Sequence, residues 1–322
     1  MKQLIKQYKN GEIGKKEFSD RMLEFHRVLL SYAELIDGAE NLKCINILNR
    51  GGVVLEIIDR LVEPKSVKVL LTSMEDSRCA SAALINFGSY ETEELDMFRK
   101  ISDILNPESF FDIGANEGWY SFHMMCRYPN MECYSFEPVK ETWERARRNL
   151  MINGQPTDNL MNFGLSDRDE TAVFYYNRTE SGATSLKNIR EVEGIERVEC
   201  RLRRLDDVVR EQSIRSMDFI KCDVEGNELF ALRGGLESIS NFKPVIFCEM
   251  LRKWCAKFGY HPNDIMRMLG EVGYQCYRMA DGWLKRIEEI TEETVETNFF
   301  YLHPERHAEV LRRLVKQGEK NA

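Results

Sequence analysis

The sequence predicts an α/β fold in which helices cover both faces of a doubly wound, Rossmann-like sheet of seven mostly parallel strands. From Pro107 onward, short apolar runs alternate with helix-length segments, as they do in chains of strand–helix–strand units. Of the 322 residues, 43% are hydrophobic and only 8 are prolines, so the chain can build a large core without long disordered stretches.

The alternating elements follow one another without an internal repeat. The predicted strands are 110–113, 131–136, 159–165, 217–222, 244–248, 274–278 and 297–302. Between these strands, one helix is predicted to begin near residue 118, and three more are predicted to cover 139–151, 227–238 and 261–272.

The chain before residue 107 has a different pattern, and we divide the whole sequence into three parts. Residues 1–65 are predicted to be a helical extension, with one helix over 15–36 and a second over 53–61. The main domain covers 66–310 and starts with a hairpin, its strands at 66–71 and 82–87 around a polar turn from Ser73 to Arg78, followed by a helix over 91–105. Residues 311–322 form a tail. The extension is a candidate for packing on the domain, for capping a substrate cleft or for making a homodimer.

Composition excludes several classes of function. The net charge is −8, which disfavours a nucleic-acid partner or an anionic membrane surface. No apolar stretch reaches the length of a membrane span. The nine cysteines are scattered and never form a C-x-x-C motif, which argues against a zinc cluster or a disulfide framework. These features predict a cytoplasmic protein.

A glycine turn follows the first strand of the alternating region. It contains Asp112, Gly114, Asn116 and Gly118, and it leads into a helix whose free N–H groups can face a ligand. Glu137 ends the next strand, where a carboxylate can accept hydrogen bonds from a ribose diol. Together the two features indicate a ligand that contains a nucleoside.

The identity of that nucleoside can be narrowed. The motif typical of dinucleotide-binding folds is G-x-G-x-x-G. When Gly114 is taken as its first glycine, Trp119 occupies the place of the third. Asp112 would repel a pyrophosphate, whereas it suits a ligand that carries an ammonium and a sulfonium. The turn therefore favours S-adenosylmethionine over NAD, and an NAD-dependent oxidoreductase is an alternative of a different class.

Three acidic residues follow two neighbouring strands. Asp223 and Glu225 come after the strand over 217–222, and Glu249 comes after the strand over 244–248. Ligands of open α/β sheets bind beyond the carboxyl ends of the strands, and crowded carboxylates repel one another, so folding alone does not explain the three acids. For Glu225, a role as a cap of the helix at Asn227 is the alternative.

These motifs resemble those of the FkbM-type methyltransferases. Besides the glycine turn, the resemblance rests on Phe136-Glu137-Pro138, Leu205-Asp206-Asp207, the K-x-D-V-E-G run from Lys221 to Gly226, and Lys243-Pro244. It covers about 87–304 and implies a class I methyltransferase fold that uses S-adenosylmethionine for transfer to hydroxyl oxygens.

The resemblance also implies roles for individual residues. The methionine end of the cofactor would contact Asp112, Gly114, Asn116 and Gly118. The ribose would be held by Glu137 and the adenine by Ser166 and Asp167, while Asp223 and Glu225 would face the methyl group.

A nearby base helps this chemistry, because a neutral alcohol is a poor nucleophile. Asp223, Glu225 and Glu249 are the candidate catalytic carboxylates, and His303 is an alternative base. Clustered carboxylate oxygens also suit Mg²⁺, for which Asp223 and Glu249 are the possible ligands.

The predicted acceptor is a hydroxyl of a sugar or glycan precursor. A macrolide or another secondary metabolite is the alternative acceptor, and a cofactor-binding scaffold without catalysis is the alternative of a different class. The small-residue loop over 180–185, with the hydroxyls of Ser181, Thr184 and Ser185, is a candidate for closing over the substrate.

Overall fold

The fold is described from a computed structural model, which covers residues 1–48, 52–71 and 76–316. The strands in these ranges are β1 (Leu42–Ile47), β2 (Val53–Ile57), β3 (Val67–Leu71), β4 (Ser109–Ile113), β5 (Glu132–Phe136), β6 (Leu160–Met161), β7 (Gly164–Leu165), β8 (Glu170–Tyr176), β9 (Glu196–Arg203), β10 (Phe219–Cys222), β11 (Val245–Glu249), β12 (Gln275–Ala280), β13 (Trp283–Ile287) and β14 (Asn298–Leu302).

The helices in the same ranges differ widely in length. They are α1 (Lys2–Lys9), α2 (Lys15–Gly38), α3 (Ala80–Phe87), α4 (Thr92–Leu105), α5 (Trp119–Arg127), α6 (Lys140–Ile152), α7 (Leu205–Glu211), α8 (Glu228–Arg233), α9 (Leu236–Phe242), α10 (Arg252–Lys257), α11 (Pro262–Glu271) and α12 (Ala308–Leu314). None of the helices in the described ranges combines the length and the apolar composition that crossing a bilayer requires.

The main sheet has the strand order β13-β12-β14-β11-β10-β4-β5-β6. The strands from β11 to β6 run parallel, and β14, β12 and β13 continue the sheet with antiparallel pairing. This arrangement confirms the predicted doubly wound, mostly parallel sheet. The edge strand β13 adds an eighth strand to the seven predicted ones.

Both faces of the main sheet are buried. Successive side chains of a strand point to opposite faces, so each strand contributes to two core clusters. Phe110 and Phe219 pack into one core cluster, together with side chains of α4, α5 and α6. Phe111 and Ile220 pack into a second cluster, with side chains of α7, α8, α9 and α11. The strands are therefore held between two helical layers, and their carboxyl ends are left free to form a site.

Two expectations for the N-terminal part are wrong. The segment predicted as a helix over 53–61 contains β2, which pairs antiparallel with β1 and β3. The segment predicted as a strand over 82–87 lies in α3, so the predicted hairpin does not form. Short apolar runs fit either periodicity, and here valines favour the strand while alanines favour the helix. Residues 72–75 of the predicted turn lie outside the described residues.

The predicted boundary at residue 65 falls between β2 and β3, which are strands of one sheet. The predicted helical extension is therefore helical in α1 and α2 only. At the other end, α12 crosses the predicted start of the tail at residue 311, and residues 317–322 lie outside the described residues.

Two elements predicted as continuous are divided in the structure. The strand predicted over 159–165 forms β6 in the main sheet and β7 in a second sheet with β9 and β8. The helix predicted over 227–238 is divided into α8 and α9 at Gly234 and Gly235. A Cβ on Gly234 would lie 2.0 Å from the carbonyl oxygen of Ser166, so this close approach requires glycine.

Candidate functional site

A cleft of about 380 Å³ lies beyond the carboxyl ends of β4, β5, β10 and β11. Its floor includes Gly114, Asn116, Glu137 and Asp223, so the glycine turn and the strand-end acids share one cavity. The edge of an open α/β sheet is where such folds bind their ligands. The predicted motifs are thus brought together in space.

The glycine turn is tightly built against the acidic strand end. Gly114 has a φ of +83°, and a Cβ there would lie 1.8 Å from the carbonyl oxygen of Asp223. The backbone N–H groups of Gly114 and Ala115 both donate to the carbonyl oxygen of Phe136, each at 3.0 Å. Only glycine fits this position, and it fixes the distance between the turn and β10.

Glu137 joins the turn to the end of β5. Its Oε2 accepts a hydrogen bond from the backbone N–H of Asn116 and its Oε1 accepts one from Val139, both at 3.0 Å. Burial raises the pKa of this carboxyl to about 7. Glu137 lines the cleft, and its oxygens have further lone pairs for a ligand hydroxyl.

Four of the predicted cofactor residues are not among the described residues that line the cleft: Asp112, Gly118, Ser166 and Asp167. The Oδ2 of Asp112 accepts hydrogen bonds from the N–H and the hydroxyl of Ser121, at 3.1 and 2.5 Å, and thereby ties β4 to α5. Asp167 lies 3.5 Å from the guanidinium of Arg233. Direct cofactor contacts by these four residues stay predictions.

The three predicted catalytic acids meet in the cleft. Asp223, Glu225 and Glu249 each offer a carboxylate oxygen, and these oxygens lie within 4.8 Å of one another. Lys221 is buried beside them, and its Nζ donates to Asp223 at 3.0 Å and to the carbonyl oxygen of Gly114 at 3.4 Å. The carboxylate set has the ligand chemistry of a divalent cation site as well as that of a proton-transfer site.

Two alternatives are wrong: the role of Glu225 as a helix cap and the role of His303 as the base. Glu228, not Glu225, caps the turn before α8, because its Oε1 accepts from the N–H groups of Val224 and Gly226, at 3.1 and 2.9 Å. His303 follows β14, which is antiparallel to β11, so it lies at the opposite edge of the sheet from the cleft. A base at His303 is therefore too far from the acids.

A fourth carboxylate, from Glu91, lies beside the three predicted ones and lines the same cleft. Glu91 precedes α4 and has a φ of +47°, an uncommon conformation for a residue with a side chain. The hydroxyl of Tyr120 donates to its Oε2 at 2.6 Å. Sequence reasoning missed Glu91 because it stands outside every motif, and no local signal marks it. We call Glu91, Asp223, Glu225 and Glu249 the acid cluster.

The electrostatics of the acid cluster are unusual. Burial raises the pKa of Glu225 and of Glu249 well above the ordinary range, and the charge of Asp223 raises both further. Burial also raises the pKa of Glu91. Burial would lower the pKa of Lys221, but Asp223, Asp112 and Glu91 outweigh it and raise the pKa instead. The cluster therefore favours bound protons and a charged lysine.

Two further segments, 76–81 and 179–184, contribute residues to the lining of the cleft, and we call them the roof. Asp76 accepts from the guanidinium of Arg145 at 2.6 Å and from the N–H of Ser181 at 3.1 Å. Glu117 accepts from the N–H and the hydroxyl of Ser81, at 2.7 and 3.0 Å. The loop predicted to close over substrate is thus at the cleft, held by buried polar contacts.

Comparison with known proteins gives partial matches. Over 163 residues the chain is 31% identical to methyltransferase sdnD of Sordaria araneosa, and this alignment covers 41% of the chain and 63% of sdnD. Over 188 residues the chain is 28% identical to the AMB antimetabolite synthetase AmbE of Pseudomonas aeruginosa, in an alignment that covers 47% of the chain and 9% of AmbE. Over 166 residues it is 26% identical to the 2-O-methyltransferase NoeI of Sinorhizobium fredii, and the alignment covers 46% of the chain and 67% of NoeI. The chain thus spans less than two thirds of sdnD and only a small part of AmbE.

The fold and the motifs can also be compared with a solved structure and with a family model. Methyltransferase FkbM from Methylobacillus flagellatus KT aligns with 69% of this chain and 53% of its own, at a TM-score of 0.39 and 16% identity. The model of the methyltransferase FkbM domain matches residues 112–276, slightly more than half of the chain. This match starts at the glycine turn and includes the acidic ends of β10 and β11. The chain belongs to the FkbM methyltransferase domain family.

Proposed function

We propose that this protein transfers a methyl group from S-adenosylmethionine to a hydroxyl oxygen of a sugar or glycan precursor. The observation that carries the proposal is the position of Asp223, Glu225 and Glu249 in the same cleft as the glycine turn. The similarity to a relative named as a 2-O-methyltransferase supports oxygen as the methylated atom.

The cleft has the polar groups that a nucleoside cofactor needs. Glu137 faces it from β5, where a ribose diol would find an acceptor. The Oδ1 of Asn116 and the Nε1 of Trp119 are buried without a hydrogen-bond partner, and both residues line the cleft. Unpaired buried polar atoms are costly, and a polar ligand would pair them. These residues therefore fit S-adenosylmethionine, which supplies an electrophilic methyl group when it is bound.

The acid cluster would supply the proton acceptor. Asp223 is ion-paired with Lys221, which orients one of its oxygens and leaves the carboxylate able to take a proton from a hydroxyl. Glu249 and Glu225 lie within reach of the same position. Much of the rate would come from holding the acceptor in line with the methyl group.

A sugar suits this end of the cleft because it presents several hydroxyls to several carboxylates. Tyr90, Trp119 and Tyr120 also line the cleft and offer apolar ring surface. A secondary-metabolite hydroxyl is the second candidate, since the chain is also similar to a protein named as an antimetabolite synthetase. An acceptor panel containing neutral glycosides and macrolides distinguishes the two.

Whether Mg²⁺ takes part in the reaction can be tested separately. Asp223 and Glu249 would hold Mg²⁺ and make a bound hydroxyl more acidic. If methyl transfer is unchanged after treatment with EDTA, Mg²⁺ has no part in the reaction. If activity is lost and then returns with added Mg²⁺, the acids act as ligands.

The first experiment is calorimetric titration of the protein with S-adenosylmethionine, S-adenosylhomocysteine and NAD. Binding of both adenosyl ligands without binding of NAD supports the proposal and justifies the acceptor panel. Binding of NAD alone would contradict it.

The predicted homodimer stays a proposal of its own. Helix α2 has no buried residue, and Val28, Leu29 and Leu30 on it are exposed. Light scattering of the eluted protein, with Leu29→Asp as the variant, measures whether this helix holds two copies together.

A further inference from the structure

A buried acid–histidine pair joins the N-terminal sheet of β1, β2 and β3 to the helix that follows the glycine turn. Asp59 lies in the segment after β2, and its Oδ2 is 2.5 Å from the Nε2 of His123 in α5. His123 is fully buried and Asp59 is 3% exposed. Neither is among the described residues that line the cleft, so any effect of the pair on the cleft must pass through a neighbouring residue.

The hydrogen bonds of the pair fix its charge. The Nδ1 of His123 lies 2.7 Å from the carbonyl oxygen of Trp119, which can only accept a hydrogen bond. Burial would raise the pKa of Asp59, but the charge of His123 and its hydrogen bond outweigh burial and lower this pKa instead. The carboxylate is therefore an acceptor too, so both ring nitrogens of His123 donate and the imidazole is positively charged.

The segment that carries Asp59 is itself fixed against α5. The Oδ1 of Asp59 accepts from the backbone N–H groups of Leu61 and Val62, at 2.9 and 3.2 Å. The guanidinium of Arg127, at the end of α5, donates to the carbonyl oxygen of Leu61 at 3.0 Å. The position of His123 is thus set by the N-terminal segment as well as by its own helix.

Trp119 is the residue through which the pair reaches the cleft. It lies one helical turn before His123, and the centroids of their rings are 4.3 Å apart. Trp119 is 5% exposed and lines the cleft, and its Nε1 has no hydrogen-bond partner among the described residues. A buried donor is costly to leave unpaired, and a polar ligand would pair it. Because His123 contacts both the ring and the carbonyl of Trp119, the pair holds this donor in place.

Stability alone does not account for the pair. Burying two charges costs nearly as much as their attraction returns, and apolar side chains of similar volume often stabilise a core equally well. Phe122, which stacks on the ring of His123 with centroids 4.7 Å apart, shows that aromatic side chains pack in this region. What the ion pair adds is one defined arrangement of the two elements that carry it, because a displacement would leave a buried charge without its partner.

We propose that Asp59 and His123 are positioning residues that hold the indole of Trp119 where its Nε1 donates a hydrogen bond to an acceptor atom of bound S-adenosylmethionine. This inference rests on the proposed function. It gives the N-terminal sheet, which lies outside the residues that match the family model, a part in cofactor binding. S-adenosylhomocysteine has the same oxygen and nitrogen acceptors as S-adenosylmethionine, so both ligands should depend on the pair equally.

The test is a double-mutant cycle, measured by calorimetric titration of the full chain with S-adenosylhomocysteine. Asp59→Asn/His123→Phe, which we call the pair variant, breaks the link, while the asparagine oxygen still accepts from the backbone and phenylalanine keeps a ring. Trp119→Phe removes the donor. We expect the pair variant and Trp119→Phe each to lower the affinity roughly fivefold, as the loss of one hydrogen bond does. Combining them should give no further loss, since both act on the same hydrogen bond.

The outcomes separate the inference from the proposed function. Losses that multiply in the combined variant would overturn the inference, because the pair would then act independently of Trp119. Unchanged affinity in the pair variant or in Trp119→Phe would overturn it as well, and Trp119→Phe gives this answer even where the pair variant does not fold. A wild-type protein that binds neither adenosyl ligand would refute the proposed function, and the inference with it.

A conservative variant distinguishes position from charge. In Asp59→Asn alone, the amide nitrogen can donate to the Nε2 of a neutral His123, so the link between the two elements is kept. We expect its affinity for S-adenosylhomocysteine to stay near the wild-type value. A fivefold loss in this variant would contradict a positioning role.

Asp218→Asn is the matched control for a loss of stability. The Oδ2 of Asp218 also accepts from two successive backbone N–H groups, those of Glu108 and Ser109, at 2.9 and 3.1 Å. Asp218 precedes β10, at the edge of the sheet opposite the cleft, and is not among the described residues that line the cleft. This variant should unfold at a lower urea concentration and bind S-adenosylhomocysteine normally. A loss of affinity as large as that of the pair variant would mean that lower stability alone weakens binding, which would overturn the inference.

Discussion

The two ends of the cleft differ in how their polar groups are satisfied. At the glycine turn, each oxygen of Glu137 accepts a hydrogen bond from the backbone, and Gly114 takes its positive φ without strain. At the acid cluster, carboxylates face carboxylates, and Glu91 and Glu225 have φ values of +47° and +52° although they carry side chains. At the first end, folding satisfies both oxygens of Glu137 and leaves the Oδ1 of Asn116 for a ligand. At the second end, the carboxylates themselves remain for a ligand to compensate with charge and hydrogen bonds.

The largest expected effect comes from Gly114→Ala, which would disrupt the glycine turn at the first end of the cleft. The added Cβ would overlap the carbonyl oxygen of Asp223, so the turn must move away from β10. We expect cofactor binding to be lost and unfolding free energy to fall by about 3 kcal/mol or more. Calorimetry and urea unfolding measure the two quantities.

The control for that change is Gly154→Ala. Gly154 also has a positive φ, of +69°, but nothing lies within 4 Å of its added Cβ. This variant should lose only about 1 kcal/mol and should bind the cofactor normally. Equal effects at the two glycines would mean that strain, not the close approach to Asp223, matters at Gly114.

The second change, Asp223→Asn, acts on the acid cluster. The amide oxygen can still accept from Lys221, but the side chain can no longer take a proton. We expect turnover to fall by roughly 10²-fold or more while S-adenosylhomocysteine still binds. Single-turnover methylation of an identified acceptor measures the effect, with the exposed Asp158→Asn as the control. Turnover near the wild-type value would remove Asp223 from the mechanism.

Glu137→Gln, at the first end of the cleft, should have a smaller effect on the binding of the cofactor product. A glutamine has only one acceptor oxygen, so one of the N–H groups of Asn116 and Val139 loses its partner. We expect the affinity for S-adenosylhomocysteine to fall roughly fivefold, since the lost ribose contact costs about 1 kcal/mol. The free energy of unfolding should also fall by about 1 kcal/mol, since a buried donor loses its partner in the folded protein. Unchanged affinity in a calorimetric titration would mean that Glu137 does not contact the cofactor.

The last change, Glu117→Gln beneath the roof, tests stability instead of ligand binding. Burial raises the pKa of Glu117 from 4.5 to about 7, so the folded protein binds this proton more tightly than the unfolded chain. The stabilisation by the proton is complete below pH 4.5 and is lost as the pH rises through 7. The variant should therefore be more stable than the wild type at pH 8, by about 1–3 kcal/mol, and similar to it at pH 5. Urea unfolding at both pH values tests this, and a difference that does not change with pH would contradict it.

The parallel half of the fold could be predicted because its signals are local. Each strand is a short apolar run, and the acids that the sequence predicts to be catalytic stand at or just after the ends of their strands, as Glu249 and Asp223 do. The N-terminal strands could not be predicted in this way. Val53–Ile57 is short enough to suit a helix or a strand, and its pairing with β1 and β3 decides between them.

By itself the sequence determined the doubly wound core, the glycine turn and three acids of the cluster, because hydrophobic period and strand-end chemistry depend on neighbouring residues only. The tertiary structure alone decided that Glu91 joins those acids, and that Asp112 ties β4 to α5 and is not among the described residues that line the cleft. It also decided that the segment around Asp76 lies at the cleft and is held there by an ion pair with Arg145. These contacts join residues far apart in the chain, and their geometry depends on how the helical layers pack against the sheet.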